Sequence, residues 1–352
     1  MNPTDELLEP ALDLGINAAQ IGDYLRGKLP GSEGPLEIKQ FRGGNANLIY
    51  LLRYSDAQYV LRRPPVGRLA PGSHDMKREY KVLSRLPRRY PLAPQAFMLS
   101  NEPDLIGAPF LVMEYRPGIV IRRDLPSVLA TDQDACRRLG NTILSALSSL
   151  HAVDPEAAGL GDLGKPDGYL LRQLDGWGRR WEAVSEGPHP DVEHILKWLS
   201  DNLPNSASVT LLHNDFKLDN MLLDPDDPTR CIAVVDWDMC TRGDPLVELG
   251  FLLNYWGEAS DPEEWLKAAS MPTWHQGFPS RQEAIAEYIA HTGAKVEALP
   301  WHRVFGAFKL AVILQQIWGR FLRGESTNPR FENFGWRVDT LLSKSRQLIA
   351  AA

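Results

Sequence analysis

From residue 135 onward this chain reads as one helix after another, and the single interruption is what most constrains its fold. Between residues 208 and 240 two short β-prone runs appear, Val209-Thr210-Leu211-Leu212 and Ile232-Ala233-Val234-Val235, each running into polar residues. Around them, apolar residues recur at the three-to-four spacing of amphipathic helices. Ala135 to His151 shows it with Leu139, Ile143, Leu147 and Leu150; Val192 to Leu203, Arg281 to His291, Trp301 to Leu322 and Phe334 to Ala351 read the same way.

The first third of the chain reads differently. Residues 8–28 have helical spacing and stop at Pro30-Gly31. Then Leu36-Glu37-Ile38-Lys39, Leu48 to Leu52 and Tyr59 to Arg62 read as strands joined by turns at Gly43 to Asn47 and at Asp56-Ala57. Helical spacing returns from His74 to Leu86, and Phe110 to Met113 is a short apolar strand. The expectation is an α+β chain: a small antiparallel-sheet domain at 1–117, including the N-terminal helix and a hinge at Glu114 to Gly118, then a mainly helical domain at 118–352. A length of 352 residues suits two such bodies better than one small core.

Charge and cysteine content narrow the function. The net charge is −7, with 15 basic against 13 acidic residues up to residue 118 and 23 against 32 beyond it. That lacks the basic stripe of a nucleic-acid binder. No run approaches the roughly 18 apolar residues of a membrane span. Met1 to Gln20 carries acidic residues and no apolar stretch of the kind a signal peptide needs, so a cytoplasmic location is expected. Cys136, Cys231 and Cys240 have neither CxxC nor zinc-site spacing and read as free thiols.

The chemistry-bearing residues follow the two β-prone runs. His213-Asn214-Asp215 leads to Asn220 five residues after the aspartate, the H-x-D-x-x-x-x-N spacing of a kinase catalytic loop. In such loops the aspartate accepts the substrate hydroxyl proton and the asparagine holds Mg²⁺. Asp236 follows the second run directly and fits a further oxygen ligand for a hard cation. In the first domain, Arg62 closes a strand where kinases carry a phosphate-binding lysine, and Glu79 lies seventeen residues on, within the helical stretch, as a partner for it. Arg63 is adjacent, but strand alternation turns it the other way. Gly43-Gly44-Asn45-Ala46-Asn47 is a tight turn whose backbone N–H groups suit phosphate oxygens; taken alone, it is equally a plain hairpin turn. No GxGxxG or Walker A sequence occurs.

Three segments together resemble the aminoglycoside phosphotransferase and choline kinase-like family: Gly43 to Tyr50, His213-Asn214-Asp215-Phe216-Lys217-Leu218-Asp219-Asn220, and Val235-Asp236-Trp237-Asp238 through Gly243-Asp244-Pro245. With Tyr59-Val60-Leu61-Arg62-Arg63-Pro64-Pro65, the chain is most similar to the subgroup also found fused to some acyl-CoA dehydrogenases. The resemblance covers about residues 36 to 255. It implies a two-lobed protein-kinase-like fold and transfer of a phosphoryl group from ATP (or GTP), with Mg²⁺, to a small-molecule hydroxyl. It also implies roles: Asp215 as base, Lys217 beside the γ-phosphate, Asn220 and Asp236 as metal ligands. Gly43, Gly44, Asn45, Asn47, Arg62 and Glu79 would serve the nucleotide phosphates, with Glu114 and Tyr115 at the adenine. No nucleic-acid or membrane partner is implied, and the chain would be a monomer or homodimer.

Departures from the family pattern are Asn214 in place of the usual glycine, Arg62 in place of lysine and Ala46 in place of serine. None removes a metal ligand or the base. Asp238 and His213 stay open between structural and chemical roles. The acceptor stays open among amino sugars, amino alcohols or sugars, and hydroxyacyl compounds. The rival reading is a pseudokinase that binds a nucleotide or partner without turnover.

Overall fold

The computed structural model describes residues 7–8, 16–41, 47–64, 75–185, 187–206, 208–326 and 328–352. Its strands are β1 (Leu7–Leu8), β2 (Glu37–Phe41), β3 (Leu48–Arg53), β4 (Gln58–Arg63), β5 (Ala96–Ser100), β6 (Phe110–Glu114), β7 (Thr210–Leu212), β8 (Met221–Leu223), β9 (Cys231–Val234) and β10 (Thr241–Gly243). Its helices are α1 (Ala18–Leu25), α2 (Met76–Leu83), α3 (Pro103–Ile106), α4 (Ser127–Ala130), α5 (Gln133–His151), α6 (Tyr169–Glu182), α7 (Pro190–Asp201), α8 (Pro245–Tyr255), α9 (Glu263–Ala268), α10 (Arg281–Thr292), α11 (Leu299–Leu322) and α12 (Phe334–Ala350). They form two compact units. The first comprises Met1–Val120, Pro155–Gly161 and Asn220–Cys240; the second comprises Ile121–Asp154, Asp162–Asp219 and Thr241–Ala352.

In the first unit, six antiparallel strands lie in the order β1-β2-β3-β4-β6-β5. Tyr50, Leu52, Leu61, Phe110 and Val112 point from these strands into a core that α1 closes with Ile21 and Leu25. Helix α1 is shorter than the 8–28 expected from spacing. Asn17 accepts the N–H groups of Ala19 and Gln20, which starts the helix at Ala18. Leu8 instead pairs with Gln40 in the sheet. Strand β5 was not expected, because Ala96-Phe97-Met98-Leu99-Ser100 shows no alternation of polar and apolar residues. Helix α2 starts at Asp75, whose carboxylate accepts the Arg78 N–H, and buries Met76, Glu79, Val82 and Leu83 along one face.

The same unit holds a separate β8–β9 ladder. Ile119 and Leu223 exchange both backbone hydrogen bonds at 2.9 Å, which ties the chain just after β6 to β8. Gly118 makes this possible: a Cβ there would lie 2.8 Å from the Leu222 side chain and 3.1 Å from the Leu223 carbonyl.

The second unit is helical around α8, in which ten of eleven residues are buried. Asp244 caps it by accepting the Leu246 N–H, with Pro245 at the first helical position. The core gathers Trp177 and Trp181 of α6, Ile195 and Leu199 of α7, Phe251 of α8 and Phe305 and Phe308 of α11. The short pair β7–β10 is the only sheet among the described residues of this unit. Gly250 lets α8 approach α11: an added Cβ would fall 2.7 Å from the His302 carbonyl carbon and oxygen. Gly250→Ala should therefore destabilise the protein by about 1–3 kcal/mol through overpacking, read as a lower urea midpoint. An unchanged midpoint would mean that α8 and α11 part without strain.

Among the described residues no helix is long and apolar enough to cross a membrane. Cys136, Cys231 and Cys240 are free thiols.

Candidate active site

In the first unit, β4 delivers Arg62 from the middle of the sheet, opposite Ile49 on one side and Leu111 on the other. Its guanidinium is forked. Nη1 donates to Glu79 Oε1 at 2.6 Å, while Nη2 donates to Asp236 Oδ1 at 2.5 Å and to Asp238 Oδ2 at 3.3 Å. A lysine ammonium could not present this planar arrangement. Arg63 turns away and donates to the carbonyls of Pro64 and Ile106.

One guanidinium thus faces three carboxylates in a largely buried place. Burial, reinforced by Asp236 and Asp238, pushes Glu79 up to about 7 against the pull of Arg62. Burial works against the charge of Arg62, but Glu79, Asp236 and Asp238 outweigh it and raise the guanidinium well above its usual range.

The β8–β9 ladder places Asn220 and Asp236 side by side at one end. Met221 pairs with Val234, and the Val235 N–H donates to the Asn220 carbonyl at 2.9 Å. Asp236 then adopts a left-handed backbone, φ 72° and ψ 60°. Trp237 anchors that turn: its indole N–H donates to the Val234 carbonyl at 2.7 Å, and its buried ring stands edge-on to Tyr90. Left-handed backbone in a non-glycine residue costs about 1–3 kcal/mol and persists where surrounding contacts impose it.

The donor set suits a hard divalent cation. Asn220 and Asp236 offer oxygens, and the surplus of carboxylates over Arg62 leaves negative charge for a cation to offset. Among the described residues no group of three His, Cys, Asp or Glu side chains forms a metal cluster, so phosphate oxygens would have to complete the coordination.

At the end of β6, where the sequence suggested a hinge, the Glu114 N–H donates to the Gln95 carbonyl at 2.8 Å, and its carboxylate accepts from the Gln95 N–H and from Arg116. Burial opposes the charge of Glu114, but these two donors hold its carboxyl below the usual range. Tyr115 is part-buried near Phe41. Asn47 is buried at the start of β3, whereas Gly43, Gly44 and Asn45 lie outside the described residues.

In the second unit, the chain leaving β7 turns sharply at Asn214, φ 70°. Glu248 of α8 holds this turn. It accepts the His213 N–H at 3.0 Å and the Asn214 N–H at 2.5 Å, and pairs with His151 Nε2 at 3.0 Å; His151 Nδ1 in turn meets the Tyr288 hydroxyl at 2.7 Å. Burial alone would raise the Glu248 carboxyl, but His151 and the region of His213 hold it below the usual range.

Asp215 follows, with Lys217 Nζ at 2.9 Å from both of its carboxylate oxygens. The Lys217 ammonium also lies over the Tyr255 ring, 5.6 Å from its centre. Burial would lower Lys217, yet Tyr255, Asp215 and Asp219 together raise it, so it stays charged. Asp219 Oδ1 is buried without a hydrogen-bond partner among the described residues, and burial raises its carboxyl. Glu248, His151 and Tyr255 carry no motif in the sequence. The only local signal is Asp244-Pro245, a helix start that puts Glu248 in the first turn without saying what it faces.

The family model described as "Phosphotransferase enzyme family" matches residues 37–305. The chain belongs to that family. Acyl-CoA dehydrogenase family member 10 of Mus musculus is 31% identical over 323 residues, covering 90% of this chain but 30% of the mouse protein. The chain therefore spans less than a third of that relative. A crystal structure from Ralstonia eutropha, assigned to the aminoglycoside phosphotransferases, aligns with TM-score 0.82 at 25% identity, over 96% of this chain and 99% of that one. A thermostable mutant of aminoglycoside phosphotransferase APH(4)-Ia, solved with ADP and hygromycin B, aligns with TM-score 0.58 at 17% identity, over 93% and 98%. The fold is the kinase-like fold of this family, with a small antiparallel sheet in the N-terminal region and a larger helical C-terminal region.

Proposed function

We propose that this chain transfers the γ-phosphoryl group of ATP to a hydroxyl of a small-molecule acceptor, with Mg²⁺. The observation that carries this reading is the fork of Arg62 between Glu79 and Asp236, beside Asn220. A buried guanidinium fixed by a helix carboxylate is a ready phosphate contact, and family membership adds its weight. The neighbour holding ADP and hygromycin B supports a nucleotide and a hydroxylated small molecule as the two substrates.

Each residue then has a task. Asp215 accepts the proton of the attacking hydroxyl and orients it; Lys217, 2.9 Å from both of its oxygens, holds that carboxylate in place and offsets charge on the transferring group. Arg62 binds phosphate oxygens, and Glu79 sets the direction of its fork. Asn220 and Asp236 would hold Mg²⁺, which when bound offsets the negative charge of the phosphates. Glu248 fixes the backbone from which Asp215 projects. Glu114, Tyr115 and the Gly43-Gly44-Asn45 turn are proposed to flank the nucleotide.

The test is a thermal-shift titration with ATP, ADP and GTP, with and without Mg²⁺. Nucleotide at a hundred times its Kd should stabilise the wild type by about 2.7 kcal/mol in the presence of Mg²⁺. Asp236→Ala should abolish the Mg²⁺-dependent part, and so should Asp236→Asn, which tolerates the left-handed backbone better. If no nucleotide shifts the wild type, the reading fails and a partner-binding module takes its place.

A further inference from the structure

Lys309 sits in the middle of α11 and is 4% exposed. Its ammonium stands 4.3 Å from the centre of the Phe251 ring and 5.5 Å from that of Trp177, both in the apolar core of the second unit. Among the described residues it makes no hydrogen bond and no ion pair. Phe251 stands edge-on to Tyr255 with ring centres 5.2 Å apart, and Tyr255 in turn lies under the Lys217 ammonium that holds Asp215, so Lys309 faces Asp215, Glu248, Arg180 and Lys217 as its charged surroundings. Both carboxylates are engaged elsewhere: Glu248 by His151 and two backbone N–H groups, Asp215 by Lys217. Burial brings the Lys309 amine down to about 8.

A structural lysine in a core normally rests its ammonium on a carboxylate or carbonyl, because an unpaired buried charge is costly. The faces of Phe251 and Trp177 recover part of that cost, since a ring face attracts a cation, but they supply no acceptor atom. A methionine or leucine would fill the space without the penalty. A lysine this deeply set whose ammonium makes no hydrogen bond or ion pair among the described residues calls for an explanation, and a bound ligand is one.

We propose that Lys309 binds an anionic oxygen, of a carboxylate or a phosphate group, on the acceptor whose hydroxyl engages Asp215. The inference rests on Asp215 being the base of the proposed transfer. It makes the acceptor a hydroxylated anion. A polycationic acceptor placed at Asp215 would instead meet the like charges of Lys217 and Lys309.

The experiment offers the full chain with Mg²⁺ and ATP a matched set of acceptors: a hydroxybutyrate, glycerol phosphate, butanediol and choline. Phosphate transfer should favour one of the two anions over the neutral and cationic members by about tenfold or more in kcat/KM, the worth of one charge-assisted contact. Which anion is favoured separates carboxylate from phosphate. Lys309→Met should raise KM for that anion by about tenfold or more, Lys309→Arg by less, and both should keep the Mg²⁺–ATP thermal shift. A preference for choline or butanediol, or an unchanged KM in Lys309→Met, overturns the proposal.

Should Lys309→Met fail to fold, the wild type serves. Acetylation of Lys309 by a mild reagent, followed by mass spectrometry, should be suppressed by the favoured anion. No protection by either anion overturns the proposal. Loss of the Mg²⁺–ATP shift in the wild type would instead mark failure of the phosphotransferase reading.

Discussion

Asp215→Asn lowers kcat by about a hundredfold or more, at least roughly 3 kcal/mol in the barrier. The substitution keeps the shape and one oxygen of the side chain, so the loop stays in place. What it removes is the ability to take a proton, together with the charge that Lys217 meets at 2.9 Å through both oxygens. Nucleotide binding, assigned above by proposal to Arg62, Asn220 and Asp236, should be retained. The measurement is steady-state phosphate transfer to whichever acceptor the wild type uses, paired with the Mg²⁺–nucleotide thermal shift. A variant that keeps wild-type kcat would take Asp215 out of the chemistry. Lost turnover with lost nucleotide binding would point to a collapsed loop rather than to a missing base.

Glu248→Ala should be the most damaging single change to stability. The carboxylate is 2% exposed and serves three donors: the N–H groups of His213 and Asn214, and the His151 ring. Truncation strands all of them in a buried place. Breaking one buried charged arrangement of this kind costs about 3–5 kcal/mol. Asn214 adds to the sensitivity, because its left-handed backbone depends on that hydrogen bond. Glu248→Gln keeps an acceptor oxygen and should lose less. Chemical denaturation of both variants decides: a midpoint for Glu248→Ala within error of wild type would mean that water replaces the carboxylate. Since Glu248 acts only through the backbone before Asp215, turnover should fall in step with loop order even where folding survives.

What the sequence revealed follows from whether the signal was local. Strand β2 was legible from its alternation, and β3, β4 and β6 as short β-prone apolar runs bounded by turn residues. The turns into Asp215 and Asp236 were legible because β-prone runs ended in polar residues of fixed spacing. Helix α8 was not, since a helix buried on every side has no polar face and thus no period. Helix α6 does carry the spacing, since Leu170, Leu174, Trp177 and Trp181 recur at three and four residues and bury one face, and the reading of the sequence missed it. Glu248 could not be singled out, because its partners lie 34, 35 and 97 residues away. Lys309 is subtler. A lysine in a long helix is normally assigned to the solvated face, and only packing reveals that this one faces the core. The role of Asp238 was open between a turn cap and the site; its carboxylate, 3.3 Å from Arg62, places it in the charged cluster.

The partition of the chain has a consequence for inheritance. The first unit draws Asn220–Cys240 from the far side of the sequence, and with it the partner that Arg62 meets at Asp236. No single cut separates the two units, and residues 1–120 alone would carry a guanidinium that kept Glu79 but had lost Asp236 and Asp238. A recombination event that swapped one half of such a gene for a relative's would pair an arginine chosen in one lineage with carboxylates chosen in another. The strand residue and the distant Asp236-Trp237-Asp238 turn must therefore travel together, and lineages that exchange a lysine for an arginine here are expected to alter that turn in the same step.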